Sequence, residues 1–136
     1  MFFDCKSLKN IEGLKYLDTK EMNNFSYMFS ECSSLSDLKP LQNWNVSNGN
    51  DFKGMFYICL SLSDLKSLQN WNVSNGYNFS DMFKGCRSLS DLKLLKNWNI
   101  STGNNFNGMF NQCPSLSEYS KKEILKKFKW FKNVYN

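Results

Sequence analysis

The 136-residue chain contains no histidine, a single arginine and no long apolar segment, and each absence excludes a class of function. Without histidine, a general base acting near pH 7 would need a carboxylate or a lysine with a shifted pKa, and most zinc-ligand patterns are excluded. Arg87 alone cannot supply the several guanidinium forks that read guanine bases. No segment reaches the roughly 18 consecutive apolar residues of a transmembrane helix, so we expect no membrane span.

Positive charge is concentrated near one end of the chain. The formal net charge is +5, and residues 121–132 contain six lysines against one acid, Glu123. The remainder is close to neutral and lacks the basic stripe of a nucleic-acid groove, so we expect no nucleic-acid partner. Residues 1–15 contain no apolar core of a signal peptide, so no export signal is visible. The odd number of cysteines leaves at least one free thiol, which allows a cytoplasmic location.

The chain is built on a 27-residue repeat. Its cysteines mark the interval, at Cys5, Cys32, Cys59, Cys86 and Cys113. Two other residue types keep the same interval over most of the chain, at Met28, Met55, Met82 and Met109, and at Trp44, Trp71 and Trp98. A period between about 20 and 50 residues indicates one small structural unit stacked on copies of itself.

Each unit carries two local patterns that predict secondary structure. Leu62, Leu65 and Leu68 recur every three residues, which favours a short strand followed by a turning stretch. One position of the turn is glycine in three units, where we expect positive φ, at Gly49, Gly76 and Gly103. Apolar residues at i, i+3, i+4 and i+7 then predict a two-turn helix, at Phe79, Met82, Phe83 and Cys86. An Asn or Asp precedes each such segment as its expected N-cap, at Asn24, Asp51, Asn78 and Asn105.

These patterns predict an α/β repeat solenoid over residues 1–117, with about five coils that each contain a strand, a turn and a short helix. Residues 118–136 are predicted to form a C-terminal capping segment. Ser120 and Glu123 have the spacing of a capping box, which indicates that an amphipathic helix over 121–134 closes the open end of the core. The apolar stripe of this helix would be formed by Ile124, Leu125, Phe128, Phe131, Val134 and Tyr135.

The unit contains Cys-x-x-Leu-x-x-Leu-x-x-Leu-x-x-Trp-Asn-Val-Ser-Asn, followed by Phe-x-x-Met-Phe-x-x-Cys. This string resembles the BspA-like leucine-rich repeat family, and more narrowly the surface-protein repeat called DUF285, over residues 1 to about 117. The resemblance implies a right-handed, leucine-rich-repeat-like superhelix, a cell-surface or secreted location, and a role in adhesion or protein binding. The chain departs from the family pattern at Gly49, Gly76 and Gly103, where valine is usual.

The repeated cysteines and tryptophans have both structural and functional interpretations. Cysteines stacked about 5 Å apart could form disulfides or hold a metal. The absence of a Cys-x-x-Cys spacing and of histidine favours free thiols packed in a core, so Cys32, Cys59, Cys86 and Cys113 are predicted to be structural, like the methionine column. The tryptophans could stack on a sugar or a peptide, but a single repeated position favours packing, with the indole N–H bonded to a loop carbonyl.

Aspartate and lysine also recur, on either side of a leucine that we expect to be buried. The six residues are Asp37, Lys39, Asp64, Lys66, Asp91 and Lys93. Calcium binding by the three carboxylates is the alternative, but the adjacent lysines and the lack of an Asp-x-Asp-x-Asp-Gly loop favour a solvated, charge-paired face. Since solenoids bind partners along extended faces, these residues are the candidate partner-binding surface.

The sequence therefore predicts a non-enzymatic module for protein interaction or adhesion, which binds a protein partner along its stacked strand face. No catalytic residue, cofactor or metal is expected, because an active site needs one asymmetric group of residues rather than several copies of the same one. The alternative is an assembly scaffold that forms homo-oligomers through its N-terminal coil.

Overall fold

The computed structural model describes residues 1–127, which form stacked 27-residue units with little regular secondary structure. Four 3-10 helices recur along one side of the stack, at Glu12–Tyr16, Lys39–Leu41, Lys66–Leu68 and Lys93–Asn97. One α-helix, α1 (Glu118–Lys127), follows them. Strand pairing within this described range is limited to isolated parallel bridges, at Asn24–Asp51, Asp51–Asn78 and Asn78–Asn105.

The predicted α/β repeat solenoid, with a strand and a short helix in every coil, is wrong. A helix was expected over residues 79–86, but residues 80–85 form turns. The physical reason is a left-handed backbone at two positions of this segment, with φ of 54° at Asp81 and 76° at Gly85. Positive φ recurs at the matching positions of the other units, at Asp4, Tyr27, Glu31, Gly54, Ile58, Gly108 and Gln112. A right-handed α-helix cannot pass through such residues.

Alternate N–H groups of this segment bond to the next unit rather than within a helix. The N–H groups of Phe79, Asp81, Phe83 and Gly85 donate to carbonyl oxygens of the segment 105–111, over 2.8 to 3.0 Å. The same four bonds start from Phe25 and from Phe52 in the preceding units. Neighbouring units therefore satisfy the backbone donors that an isolated turn would leave unpaired.

The residues expected as N-caps accept the hydrogen bond that is typical of a cap, although no helix follows them. Their Oδ1 atoms accept the backbone N–H two residues later, at 2.8 Å for Asn24, 3.0 Å for Asp51 and 3.1 Å for Asn78. This arrangement is an Asx turn. The same residues form the isolated bridges, so they connect the turn to the neighbouring unit.

The leucine segment also differs from its prediction, because it leads into a 3-10 helix rather than forming a strand. Leu62, Leu65 and Leu68 are all buried, and Lys66–Leu68 is the helix. Their spacing of three matches the 3.0 residues per turn of a 3-10 helix, which places the last two leucines on one side.

Aromatic columns fill the core between the units. One column contains Phe2, Phe29, Phe56, Phe83 and Phe110, and its neighbouring ring centroids lie 5.6 or 5.7 Å apart. The other contains Phe25, Phe52, Phe79 and Phe106, at 5.3 or 5.4 Å. Nearly parallel rings at such distances are a favourable packing geometry, provided that they are offset. All the predicted structural methionines are buried in the same core.

The turn glycines do not have the positive φ that was expected. Positive φ among glycines occurs at Gly54, Gly85 and Gly108 instead. At Gly49, an added Cβ would lie 2.5 Å from Cζ of Phe52. Glycine is therefore needed at this position because a phenylalanine ring of the core packs directly on the backbone.

Helix α1 begins before the predicted capping box. Ser117 Oγ accepts the N–H of Ser120 at 3.0 Å, so Ser117 is the residue that caps the helix. Ile124 is buried, and Glu123 pairs with Lys96 of the fourth 3-10 helix at 3.1 Å. The predicted stripe residues Phe128, Phe131, Val134 and Tyr135 lie outside the described residues, and closure of the core by residues 118–136 stays a prediction.

Replacing Met82 by Asp should destabilise the protein severely. Met82 is fully buried in a central unit, so the substitution places a carboxylate in the apolar core. We expect a loss of more than about 3 kcal/mol in the free energy of unfolding, measured by urea denaturation. The exposed Lys66→Ala variant should change it by less than about 0.5 kcal/mol, and an unchanged midpoint for Met82→Asp would contradict the burial of this column.

Candidate functional site

The cysteine column is part of the core and is tied to the unit before it. The thiols of Cys32, Cys59, Cys86 and Cys113 each donate to a backbone carbonyl 30 residues earlier, over 3.0 to 3.2 Å. None of the five cysteines forms a disulfide bond, and these four are buried, whereas Cys5 is partly exposed. Burial raises the pKa of the Cys32 thiol from 9.0 to about 11, and burial also raises the pKa of Cys59 and Cys86. These three thiols are therefore protonated and unreactive at neutral pH.

The tryptophan column has the packing role that the sequence favoured over ligand stacking. Trp44, Trp71 and Trp98 are buried, and each indole N–H donates to a leucine carbonyl 30 residues earlier at 2.8 or 2.9 Å. The Trp44 and Trp71 rings are parallel, with centroids 6.5 Å apart. These faces are closed to solvent and so are not available to a sugar or a peptide.

The six predicted partner-binding residues lie together on the side of the 3-10 helices, and we call this surface the Asp–Lys face. Each aspartate Oδ1 accepts the backbone N–H of the lysine two residues later, at 2.8 Å for Asp37, 2.9 Å for Asp64 and 2.8 Å for Asp91. The residues thus occupy turns that enter the 3-10 helices rather than the strand face that was predicted. The aspartate carboxylates therefore stabilise the turns, and the lysine side chains are exposed.

The charge pairing that was expected on this face is not an ion pair. Within residues 1–127, the ion pairs occur at Lys6–Asp4, Lys15–Glu12, Lys20–Glu21, Lys84–Asp81 and Lys96–Glu123. The ammonium groups of Lys39, Lys66 and Lys93 are therefore free to contact another molecule. Nor does the described part of the chain gather three or more His, Cys, Asp or Glu side chains into a group that could hold a metal ion.

A second surface was missed by the sequence reasoning, and we call it the tyrosine patch: Tyr27, Lys53, Tyr57 and Lys84. The ammonium of Lys53 lies 5.9 Å from the ring centroid of Tyr27, and Lys84 lies 5.9 Å from that of Tyr57. The Tyr27 ring fills the space that a Cβ at Gly54 would need, so glycine in the next unit positions the ring. Because the residue type at these positions differs from unit to unit, the repeat pattern does not identify them.

A shallow groove was also missed, and it lies beside the Asp–Lys face, between the first two 3-10 helices. It consists of two adjoining concavities of about 330 Å³ each, which share Glu12 and Pro40. Asp37 and Lys39 belong to its lining.

The described residues define a tandem-repeat protein with a closely packed apolar interior and a polar exterior of mixed charge. The family model described as "Mycoplasma protein of unknown function, DUF285" matches residues 1–123, and the chain belongs to this family. Comparison with curated proteins gives no match. The family description includes no leucine-rich repeat assignment. No helix formed by residues 1–127 has the length and apolar character required to cross a bilayer.

Alkylation of the native protein should modify one thiol out of five. At pH 8, iodoacetamide should react with the partly exposed Cys5 and leave the four buried thiols intact, because they are shielded and, at Cys32, Cys59 and Cys86, the raised pKa leaves little thiolate. Intact mass and peptide mapping provide the measurement, and unfolding in urea should expose all five thiols. Modification of Cys59 or Cys86 as fast as Cys5 would contradict the packing of this column.

The buried thiols should also make the protein less stable in alkali. Because the pKa values of Cys32, Cys59 and Cys86 are raised on folding, the unfolded chain loses these thiol protons first, so stability falls as pH rises above about 9 and, for Cys32, continues to fall towards pH 11. Each thiol contributes up to about 1.4 kcal/mol per pH unit in that window. Urea unfolding between pH 8 and 10.5 should show a shallower decline for Cys86→Ala than for the unmodified chain, and equal slopes would refute the shift.

Proposed function

We propose that this chain is a non-enzymatic protein-binding module whose partner lies along the Asp–Lys face. The observation that carries the proposal is the regular presentation of lysine side chains: Lys39, Lys66 and Lys93 occupy the same position in three consecutive units, and their ammonium groups have no ion pair in the described structure. Three equivalent contacts in a row add their contributions to the binding free energy when a partner is rigid enough to meet all of them.

Rigidity of the face supports this function. The Oδ1 atom of Asp37, Asp64 or Asp91 holds the backbone of each lysine, and each lysine is followed by a buried leucine that fixes the 3-10 helix to the core. A surface that is already ordered before binding loses less conformational entropy when a partner docks. The composition of the face also favours binding over catalysis, because the face repeats one arrangement of residues and contains no histidine.

An adhesive role at a cell surface is part of the proposal. This role rests on the similarity of the Trp-Asn-Val-Ser-Asn and Met-Phe-x-x-Cys strings to BspA-like surface proteins. The similarity is one of sequence and not of fold. The exposed lysines and aspartates of the face suit a wet, reversible contact with a charged partner surface.

The second candidate function is assembly through the N-terminal unit. Met1 and Phe3 expose 71% and 60% of their surface, while Phe2 stacks on Phe29 with ring centroids 5.6 Å apart. Exposed apolar side chains beside an ordered column favour contact with another protein surface. Light scattering at increasing concentration separates the two functions, because the average molar mass of a scaffold should rise with concentration. Substitution of Phe2 and Phe3 by Asp should abolish that rise.

Replacing the three lysines of the face should abolish partner binding. The variant Lys39→Ser, Lys66→Ser, Lys93→Ser should bind the protein captured from an extract of the source organism at least tenfold more weakly than the unmodified chain, because three charged contacts are lost. The dissociation constant, measured with the purified partner by surface plasmon resonance, provides the readout. Thermal unfolding should be unchanged, since these ammonium groups have no ion pair.

A matched variant controls for net charge. Lys6→Ser, Lys20→Ser and Lys53→Ser remove the same three charges at other unit positions and should leave the affinity within about threefold of the unmodified chain. Equal weakening by the two triple variants would mean that overall charge, and not the Asp–Lys face, governs binding.

A further inference from the structure

One surface of the stack changes its residues from unit to unit. The second, third and fourth units, 24–50, 51–77 and 78–104, agree at most positions of the repeat, and only five positions carry a different residue in all three. Four of these five positions lie in the turn segments, and we call the surface that they form the variable turn face: 27–33, 54–60 and 81–87. A contact made by this face has a single register, whereas the repeated Asp–Lys face looks the same after a shift of one unit.

The variable turn face is ordered before any contact forms. The N–H of Glu31 donates to the carbonyl of Tyr57 at 2.6 Å, and that of Ile58 donates to the carbonyl of Lys84 at 2.8 Å, so the three segments lie side by side. The ring of Tyr27 lies over Gly54 of the next unit. Side chains that are already held along a surface lose less conformational entropy when that surface is covered.

Charged and apolar side chains follow a fixed order along this face. The second unit presents Glu31, the third presents the partly exposed Ile58 and Leu60, and the fourth presents Arg87. Neither Glu31 nor Arg87 has an ion pair within residues 1–127. A complementary surface must offer a base, an apolar centre and an acid in the opposite order. The same face has that order when the direction of the stack is reversed.

Reversal of the stack also matches the side chains by size. A two-fold axis that crosses the stack at the third unit sets each position of the second unit against the same position of the fourth unit in another copy. Glu31 then faces Gly85, between Lys84 and Arg87, and Arg87 faces Ser33. An acid therefore meets two bases where glycine leaves room for it, and the long arginine meets a small residue.

The third unit faces itself at this axis. Ile58 and Leu60 then pack against their own copies and form an apolar centre. Lys53 belongs to the same unit, but its ammonium lies 5.9 Å from the ring centroid of Tyr27, on the side where Asp81 of the other copy is placed. An axis that runs along the stack would instead set the acidic second unit against another acidic second unit, which is unfavourable.

We propose that two copies of this chain associate through the variable turn face, with their stacks antiparallel and the two-fold axis at the third unit. The carboxylate of Glu31 in each copy accepts hydrogen bonds from Lys84 and Arg87 of the other. The occupant is a second copy because the face contains its own complement in both charge and size. The dimer goes beyond the proposed function, since the residues of the Asp–Lys face lie outside this contact.

Sedimentation velocity at increasing concentration tests the association. Few turn segments contribute, so the contact is smaller than the roughly 800 Å² per partner of stable interfaces, and we expect a dissociation constant of about 10–100 µM. The average mass should rise from the 15.9 kDa of one chain towards twice that value, and added salt should reduce it. A chain that stays monomeric at about 500 µM, or that grows beyond a dimer, would overturn the proposal.

Reversal of single charges tests the arrangement. Glu31→Arg and Arg87→Glu should each weaken the dimer at least tenfold, because each sets like charges against one another in both halves of the contact. An equimolar mixture of the two variants should dimerise again, within about threefold of the unmodified chain, because position 31 of one variant meets position 87 of the other. Undiminished association of either variant alone, or a monomeric mixture, would contradict the antiparallel contact.

A third variant tests the position of the axis. Leu60→Lys sets two ammonium groups against each other at the third unit and should also weaken the dimer at least tenfold. Thermal unfolding of Glu31→Arg and Arg87→Glu should match that of the unmodified chain, because neither side chain has an ion pair within residues 1–127. Normal dimers of Leu60→Lys would show that the axis lies elsewhere and would overturn the proposal.

Variants outside the face separate this contact from the two other candidate surfaces. The combination Phe2→Asp, Phe3→Asp and the triple serine variant of the Asp–Lys face should both dimerise within about threefold of the unmodified chain. Loss of the dimer in the first variant would assign self-association to the N-terminal unit, and loss in the second would assign it to the Asp–Lys face. Either loss would overturn the proposal.

Discussion

The hydrogen bonds between alternate N–H groups and the next unit are the interaction on which the rest of this structure depends. In the segment from Phe79 to Gly85, every second N–H donates to a backbone carbonyl of the following unit. Each bond contributes only about 1 kcal/mol net, but leaving a buried donor unpaired would cost more. No unit can satisfy these donors alone, so each unit becomes ordered against its neighbour. The left-handed residues Asp81 and Gly85 belong to this arrangement, and they interrupt the segment that was expected to be helical.

The repeat itself, and most of the buried columns, could be predicted from the sequence. The spacing of the cysteines, methionines and tryptophans identifies the side chains that meet in the core, because identical units stacked in register bring identical residues together. The backbone conformation could not be predicted in the same way. The pattern of Phe79, Met82, Phe83 and Cys86 has a helical period, yet a series of turns with positive φ at two positions also buries these four side chains. Periodicity reports which residues are buried and is insensitive to how the chain carries them there.

The location of the Asp–Lys face could be predicted from the sequence, but its geometry could not. The recurrence of Asp37 and Lys39 in later units indicates an exposed face, and the structure places them on one side of the stack. Their interaction is different from an ion pair, since the carboxylate Oδ1 bonds to the backbone N–H of the lysine at 2.8 Å. The groove between the first two 3-10 helices is lined by residues of two units, so the pattern within one unit does not predict it. The tyrosine patch has no repeated signature at all.

The pairing of Tyr27 with Gly54 also restricts how such a protein can change its length. The ring of one unit occupies the volume that a side chain of the next would fill, and Ile58 with Gly85 and Asp81 with Gly108 have the same relation. A duplicated copy of the Tyr27 unit inserted after the original would set one tyrosine against another, although every core column would still match. At these three glycines, the exterior permits only certain neighbours, whereas Glu31 and Ile58 are side chains at the same position of consecutive units. Addition of whole repeats is therefore constrained locally, by the glycines that receive a side chain of the preceding unit.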